Sequence, residues 1–297
     1  MKRTRILFLI CSALALGACG GNSGGHVSGG GSGGSGGGGA GGGGGAATGG
    51  NGVALVPATA QLGTYIVLGD SISDKGGSGP FFYDQLAADL TTRYPGLMLV
   101  HAAQGGAIVD NYSDNQPTGV PLLTTEVAGL GHSYPGDVLI TITIGGNDLN
   151  AHAVAAILGT DATVRGEFDS HLAAVLTELT TPGRLGSGKV YVVVANIYDF
   201  TDGMGDFSTV HCGPNVNVNP MVVKSTFGTW NGVISSNVEK VGGALYDMHA
   251  DFTGHGYNNS NAADVWYDSA SCIHPNGKGH DAIRKSIYGI VTGQALP

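Results

Sequence analysis

From residue 64 onward, short apolar runs alternate with amphipathic stretches. The runs at 64–68 (TYIVL), 97–102 (LMLVHA), 137–144 (DVLITITI) and 189–196 (KVYVVVAN) are predicted strands, with a weaker one at 244–248. Three of them are nearly continuous and rich in Val and Ile, the pattern of strands covered on both faces in a parallel sheet. Between them the apolar period changes to that of a helix. The stretch 81–93 places Phe82, Leu86, Ala87 and Leu90 on one face before Pro95 ends it, and 167–179 does the same with Phe168, Leu172, Val175 and Leu176. Stretches 227–241 and 280–291 complete the set of predicted helices. Strand–helix alternation of this kind gives an α/β fold, a three-layer α/β/α sandwich around a mainly parallel five-stranded sheet. Sites in such folds lie outside the carboxyl ends of the strands.

The 297 residues do not all belong to that fold. Of 54 glycines, 21 fall between Gly20 and Gly52. Such a segment cannot bury enough apolar surface to offset its conformational entropy, so 20–57 reads as a flexible linker and 58–297 as one folded domain. At the start, Lys2, Arg3 and Arg5 precede an apolar run from 6 to 16 and then small residues up to Cys19. This is the pattern of an export signal over 1–19, too short for a stable membrane span. Leu16-Gly17-Ala18-Cys19 resembles a bacterial lipobox, whose cysteine carries lipid, and the Gly20 that follows resembles an outer-membrane address. The expected product is an exported lipoprotein on the periplasmic or cell-surface side, or otherwise a secreted protein. Its only membrane contact would be the anchor at Cys19, with the glycine tract as a tether whose r.m.s. span is roughly 30 Å.

Loss of Lys2, Arg3 and Arg5 with the signal leaves ten basic against 22 acidic residues. There is no Lys/Arg cluster, so the electrostatic footprint of a nucleic-acid binder is missing. Export also removes Cys11, and lipid would occupy Cys19. Cys212 and Cys272 then remain in an oxidising compartment, where a disulfide between them is expected. None of the ten histidines shows a close metal-ligand spacing, so neither a metal nor another cofactor is expected.

Three polar clusters fall at places where the fold puts sites. The first strand runs into Gly69-Asp70-Ser71-Ile72-Ser73-Asp74, the third ends in Gly145-Gly146-Asn147-Asp148, and His274-Pro275-Asn276 opens the last predicted helix. Each alone has a plain explanation as a turn or a helix cap. Asp70 and Asp148 are expected to hold their turns through side-chain to backbone bonds, and Asp74 to cap the following helix.

Taken together, in this order, these clusters resemble the four sequence blocks of the GDSL, or SGNH, hydrolase family, over about 65–283. The resemblance implies a flavodoxin-like fold and a serine esterase or lipase that works through an acyl-enzyme. It makes Ser71 the nucleophile, in a block reading GDSIS where the family commonly has GDSLS. The glycine block reads His101-Ala102-Ala103-Gln104-Gly105-Gly106, with His101 where the family has Asn; Gly106 is the implied oxyanion donor and Gly105 the neighbour that could displace it. Asn147 would add a side-chain amide, and His274 would be the general base. Ser271 occupies the position where the family usually has the triad acid. Either Asp268, six residues before the histidine, reaches the imidazole through a bulged loop, or a backbone carbonyl orients the ring. The chain is expected to act as a monomer on a small-molecule or lipid ester. A carbohydrate O-deacetylase on the same scaffold and a non-catalytic surface binding module are the alternatives.

Overall fold

A computed structural model of the protein describes residues 54–207 and 217–296. In chain order it comprises β1 (Leu62–Gly69), α1 (Phe82–Arg93), β2 (Met98–His101), and a two-residue pair β3 (Ala107–Ile108) and β4 (Val120–Pro121). A short π-helix (Leu122–Val127) follows, then β5 (Asp137–Thr143), α2 (Gly146–Ala151), α3 (Ala153–Ile157), α4 (Ala162–Thr180) and β6 (Val190–Ala195). The chain continues through α5 (Pro220–Lys240), β7 (Ala244–Tyr246), α6 (Met248–Phe252) and α7 (Gly277–Thr292).

Five strands form one sheet in the order β2-β1-β5-β6-β7. Every pairing in it is parallel. The alternation of side chains along each strand divides the core in two. Ile66, Leu68, Ile140, Ile142 and Val194 face Phe168, Leu172 and Leu176 of α4 and Trp230 and Ile234 of α5. Tyr65, Val67, Leu139 and Val193 face Phe82, Leu86 and Leu90 of α1 and Ile283, Ile287 and Ile290 of α7. Both faces of the sheet are therefore covered, which is why the strands read as unbroken apolar runs. The fold is the expected three-layer α/β sandwich. Packing begins upstream of residue 58: Val56 is buried, and Leu55 and Val56 donate to the carbonyls of Ile290 and Val291.

All five expected strands are present, with ends shifted by at most two residues. Two helices start five or more residues earlier than their apolar period suggests. Helix α5 begins at Pro220 behind Asn219, whose side chain accepts the Met221 N–H at 2.9 Å, a cap that precedes the first periodic residue. Helix α4 begins after Asp161, whose Oδ2 accepts from Arg165 Nη1 at 2.7 Å and Trp230 Nε1 at 2.8 Å. The segments around the β3–β4 pair, the π-helix and α2–α3 were not predicted, because each is too short to display a period.

Candidate active site

The carboxyl ends of β1 and β5 set the first half of the site. Gly69 ends β1 with φ +114°, and a Cβ there would stand 2.0 Å from the Thr143 carbonyl oxygen, so only glycine lets the two strand ends approach this closely. Asp70, 4% exposed, then holds the turn: its Oδ1 accepts from the Ile72 N–H at 3.0 Å and from Thr143 Oγ1 at 2.8 Å. Burial pushes the Asp70 carboxyl up to about 7 despite these two hydrogen bonds. Ser73 Oγ pairs with Thr143 Oγ1 at 2.8 Å, so the turn is fastened on both sides of Ser71. Ser71 itself is half-buried at the head of this turn.

Ser71 Oγ lies 2.7 Å from His274 Nε2, across 203 residues of sequence. The loop carrying His274 is tied down at several points. Asn276 caps α7 by accepting the N–H groups of Lys278 and Gly279, and it donates to the carbonyls of Val265 and Tyr267. The Asp268 N–H donates to the His274 carbonyl, and the buried Tyr198 hydroxyl donates to the Ile273 carbonyl. Burial lowers the His274 pKa, and the charge of Asp268 partly opposes that. The ring is thereby kept neutral near pH 7, as a proton acceptor must be.

Neither expectation for the third partner is met at the ring. His274 Nδ1 is buried with no hydrogen-bond partner among the described residues. Asp268 spends its Oδ1 on its own loop, accepting from the N–H groups of Ala270 and Ser271 at 3.0 and 2.9 Å and from Ser271 Oγ at 3.1 Å. Burial pushes its pKa up, but these bonds and one from Ser78 outweigh that and hold it below the usual carboxylate range. A negative charge thus stands near the imidazole without a bond to it. Cys272, also in this loop, is buried with φ +61°; Cys212 lies outside the described residues.

The loop after β2 brings the glycine block to Ser71. A Cβ on Gly105 would lie 4.0 Å from Ser71 Cβ. The Gly105 N–H is already taken by Asp74 Oδ2 at 2.8 Å, so Asp74 ties the nucleophile turn to this loop; it does not cap α1, because α1 starts eight residues later. The Gln104 N–H is shared between the Gly69 carbonyl at 2.9 Å and Glu126 Oε1 at 3.1 Å. The Ala107 N–H goes to the Gln104 carbonyl, and the Val109 N–H to Asp148 Oδ1 at 3.0 Å. Among the described residues no acceptor takes the N–H of Gly106 or of Ser71. Gly106, with φ +80°, is the residue of the pair whose amide is available. Asn147, at the start of α2, donates one Nδ2 hydrogen to the Ala107 carbonyl at 2.9 Å and so touches the same loop. His101 replaces an asparagine and still bonds: its Nε2 lies 2.7 Å from the Ser73 carbonyl oxygen.

Two features of this site escaped the sequence. Gly76 packs against the catalytic pair; a Cβ there would fall 2.6 Å from His274 Cδ2 and 2.5 Å from the Ser71 carbonyl oxygen. Glu126 is 2% exposed on the π-helix and also accepts the Gly69 N–H at 2.8 Å. Its only sequence signal is an acid alone in an otherwise uncharged run, LLTTEV. Among the described residues no group of His, Cys, Asp and Glu could hold a metal ion, and no helix is long and apolar enough to cross a membrane.

This geometry, a serine and a histidine in contact at the carboxyl ends of a parallel sheet, coincides with a family match. The sequence model described as GDSL-like lipase/acylhydrolase covers residues 65–287, and the chain belongs to that family. No curated protein matches the chain. Among solved structures it is similar to phospholipase A1 from Streptomyces albidoflavus, at 20% identity over 77% of this chain and 99% of that one, with a TM-score of 0.54. It is also similar to a variant of Axe2, an acetyl xylan esterase from Geobacillus stearothermophilus, at 17% identity over 80% of this chain and 99% of the other, with a TM-score of 0.50. At these identities the likeness is one of fold.

Proposed function

We propose that the protein is a serine carboxylic-ester hydrolase in which Ser71, His274, Gly106 and Asn147 carry the reaction. The observation that carries this reading is the 2.7 Å contact between Ser71 Oγ and His274 Nε2 on a scaffold of the hydrolase family. Ser71 Oγ attacks the ester carbonyl carbon and passes its proton to His274 Nε2. The oxyanion that forms is met by the N–H of Ser71, the N–H of Gly106 and the second Nδ2 hydrogen of Asn147. Collapse of the tetrahedral species expels the alcohol, which leaves with the proton from His274. Water, deprotonated by the same imidazole, then hydrolyses the acyl-enzyme. Asp268 serves as a through-space charge that stabilises the imidazolium, in keeping with its engagement by its own loop. All the donors and the base come from one chain, so a monomer suffices.

The address is part of the proposal. The basic residues, apolar run and Cys19 at the start of the chain support export with lipid at Cys19, and the glycine tract would let the domain range from its anchor. Cys212 and Cys272 would close a disulfide around a loop of about 60 residues, contributing on the order of 3–4 kcal/mol by the chain-entropy model. Metabolic labelling with palmitate, lost in Cys19→Ala, tests the anchor. Mass spectrometry of a non-reduced digest tests the bridge.

Hydrolysis of p-nitrophenyl acetate, butyrate and palmitate by the purified protein, beside its Ser71→Ala variant, tests the activity. Turnover that vanishes in Ser71→Ala supports a serine esterase. Turnover of acetate alone would move the reading toward an O-deacetylase, the class to which the Axe2 neighbour belongs. Undiminished turnover in Ser71→Ala would overturn the proposal.

A further inference from the structure

Glu126 lies outside every sequence block that carries the proposed chemistry, yet it touches two of them. One carboxyl oxygen accepts the N–H of Gly69, two residues before Ser71, at 2.8 Å. The other accepts the N–H of Gln104, two residues before Gly106, at 3.1 Å. The side chain is 2% exposed, and burial pushes its carboxyl up to about 8 in spite of both backbone donors. A carboxyl in such surroundings is costly, and its neighbours Leu122 and Val127 are fully buried core residues. A hydrophobic side chain at this position would fit that core and leave both N–H groups without it.

The two segments that Glu126 joins need a fixed separation. In the proposed reaction the oxyanion sits between the N–H of Ser71 and that of Gly106, and those amides belong to different strand–loop connections. Asp74 ties Gly105 to the nucleophile turn on the exposed side, and Asp148 ties Val109 to the turn bearing Asn147. Glu126 makes the corresponding tie on the buried side, at the bases of both loops. Without it Gln104 keeps only its bond to the Gly69 carbonyl, and the Gly69 N–H loses its acceptor.

We infer that Glu126 is a positioning residue for the oxyanion hole, its buried carboxyl group bridging Gly69 and Gln104 so that the Gly106 N–H is held in register with Ser71. The inference rests on the hydrolytic reading above. Glu126 does not touch the substrate; it acts through the two backbone segments.

The test compares wild type, Glu126→Gln and Glu126→Leu on p-nitrophenyl acetate at pH 6.5, with thermal unfolding of each. Glu126→Gln keeps the shape and one acceptor but sets an amide donor against one backbone N–H. It is expected to lower kcat about tenfold, and Glu126→Leu about a hundredfold, because misplacing a catalytic group by about 1 Å costs on the order of a hundredfold. KM should stay within about twofold, since ground-state binding does not use the hole. Inhibition by butylboronic acid, which forms a tetrahedral adduct on Ser71, should weaken in step with kcat/KM; a purely structural role would not link the two. If Glu126→Leu does not fold, Glu126→Gln carries the test. A folded Glu126→Gln with undiminished kcat, or with KM alone raised, would overturn the inference. An inactive wild type would instead count against the hydrolytic reading itself.

Discussion

Asp74 Oδ2 accepts the Gly105 N–H at 2.8 Å, which binds the turn that presents Ser71 to the loop that presents Gly106. The bond also consumes the one neighbouring amide that could compete with Gly106 for the oxyanion. Asp74→Ala is expected to lower kcat by about ten- to a hundredfold, whereas Asp74→Asn, which keeps an acceptor oxygen, should lose less than about threefold. Steady-state kinetics on p-nitrophenyl acetate checks both, and equal losses would show that charge, not the tie, matters.

Asp268 lowers the energy of a protonated His274 without bonding to it, so its removal should be mild. Asp268→Asn is expected to cost about ten- to a hundredfold in kcat, well short of the roughly 10⁴-fold found where the acid bonds the ring directly. The sign of the pH effect follows from the charge. Asp268 raises the His274 pKa, so the variant's base stays neutral to lower pH and the acid limb of kcat/KM moves down. A limb that moves up, or a 10⁴-fold loss, would mean that the carboxylate swings onto Nδ1 in the working enzyme.

Gly76 leaves no room for a side chain between Ser71 and the His274 ring. Gly76→Ala should push the imidazole off the serine and lower kcat by about a hundredfold or more, with a cooperative unfolding transition retained. Labelling of Ser71 by a fluorophosphonate probe should slow in parallel. A normal labelling rate would show that the ring relocates without losing its contact.

Three buried carboxyls give the fold a distinctive pH dependence. Asp148, Asp70 and Glu126 are pushed up to about 6, 7 and 8, above the ordinary value near 4 that they recover on unfolding. The folded state therefore holds these protons more tightly, and the stability they contribute is lost progressively from about pH 4 up to the folded values, with Glu126 the last to complete near pH 8. His274 and His280, lowered by burial, act in the opposite sense but finish titrating below about pH 6.5. The Tm is thus expected to fall between pH 6.5 and 8.5, and Glu126→Gln should flatten the upper part of that fall. A Tm that is level over this range would mean the three groups are ionised throughout.

Much of this was legible in the order of residues. Short apolar runs, three of them nearly continuous, gave five strands their places because burial on both faces of a parallel sheet demands such runs. The serine, asparagine and histidine clusters could be located because each sits where a strand ends or a helix begins, and local turn chemistry marks those points; the glycine block came only from the resemblance to the family. Even the cap that starts α5, Asn219-Pro220, was written in the sequence and passed over only because it precedes the apolar period.

What the tertiary structure alone decided concerns partners distant along the chain. The sequence left Gly105 and Gly106 as rivals; the fold separates them, because Asp74, 31 residues earlier, occupies the amide of Gly105. It left Asp268 to reach or miss the imidazole; the fold spends that carboxylate on Ser271 and Ala270. Glu126 could be found only in space, since its two acceptor contacts lie 57 and 22 residues away. Periodicity and turn chemistry report a residue's surroundings within a few positions, whereas a hydrogen bond between loops depends on where sheet order and packing bring them, and only the folded chain holds that distance.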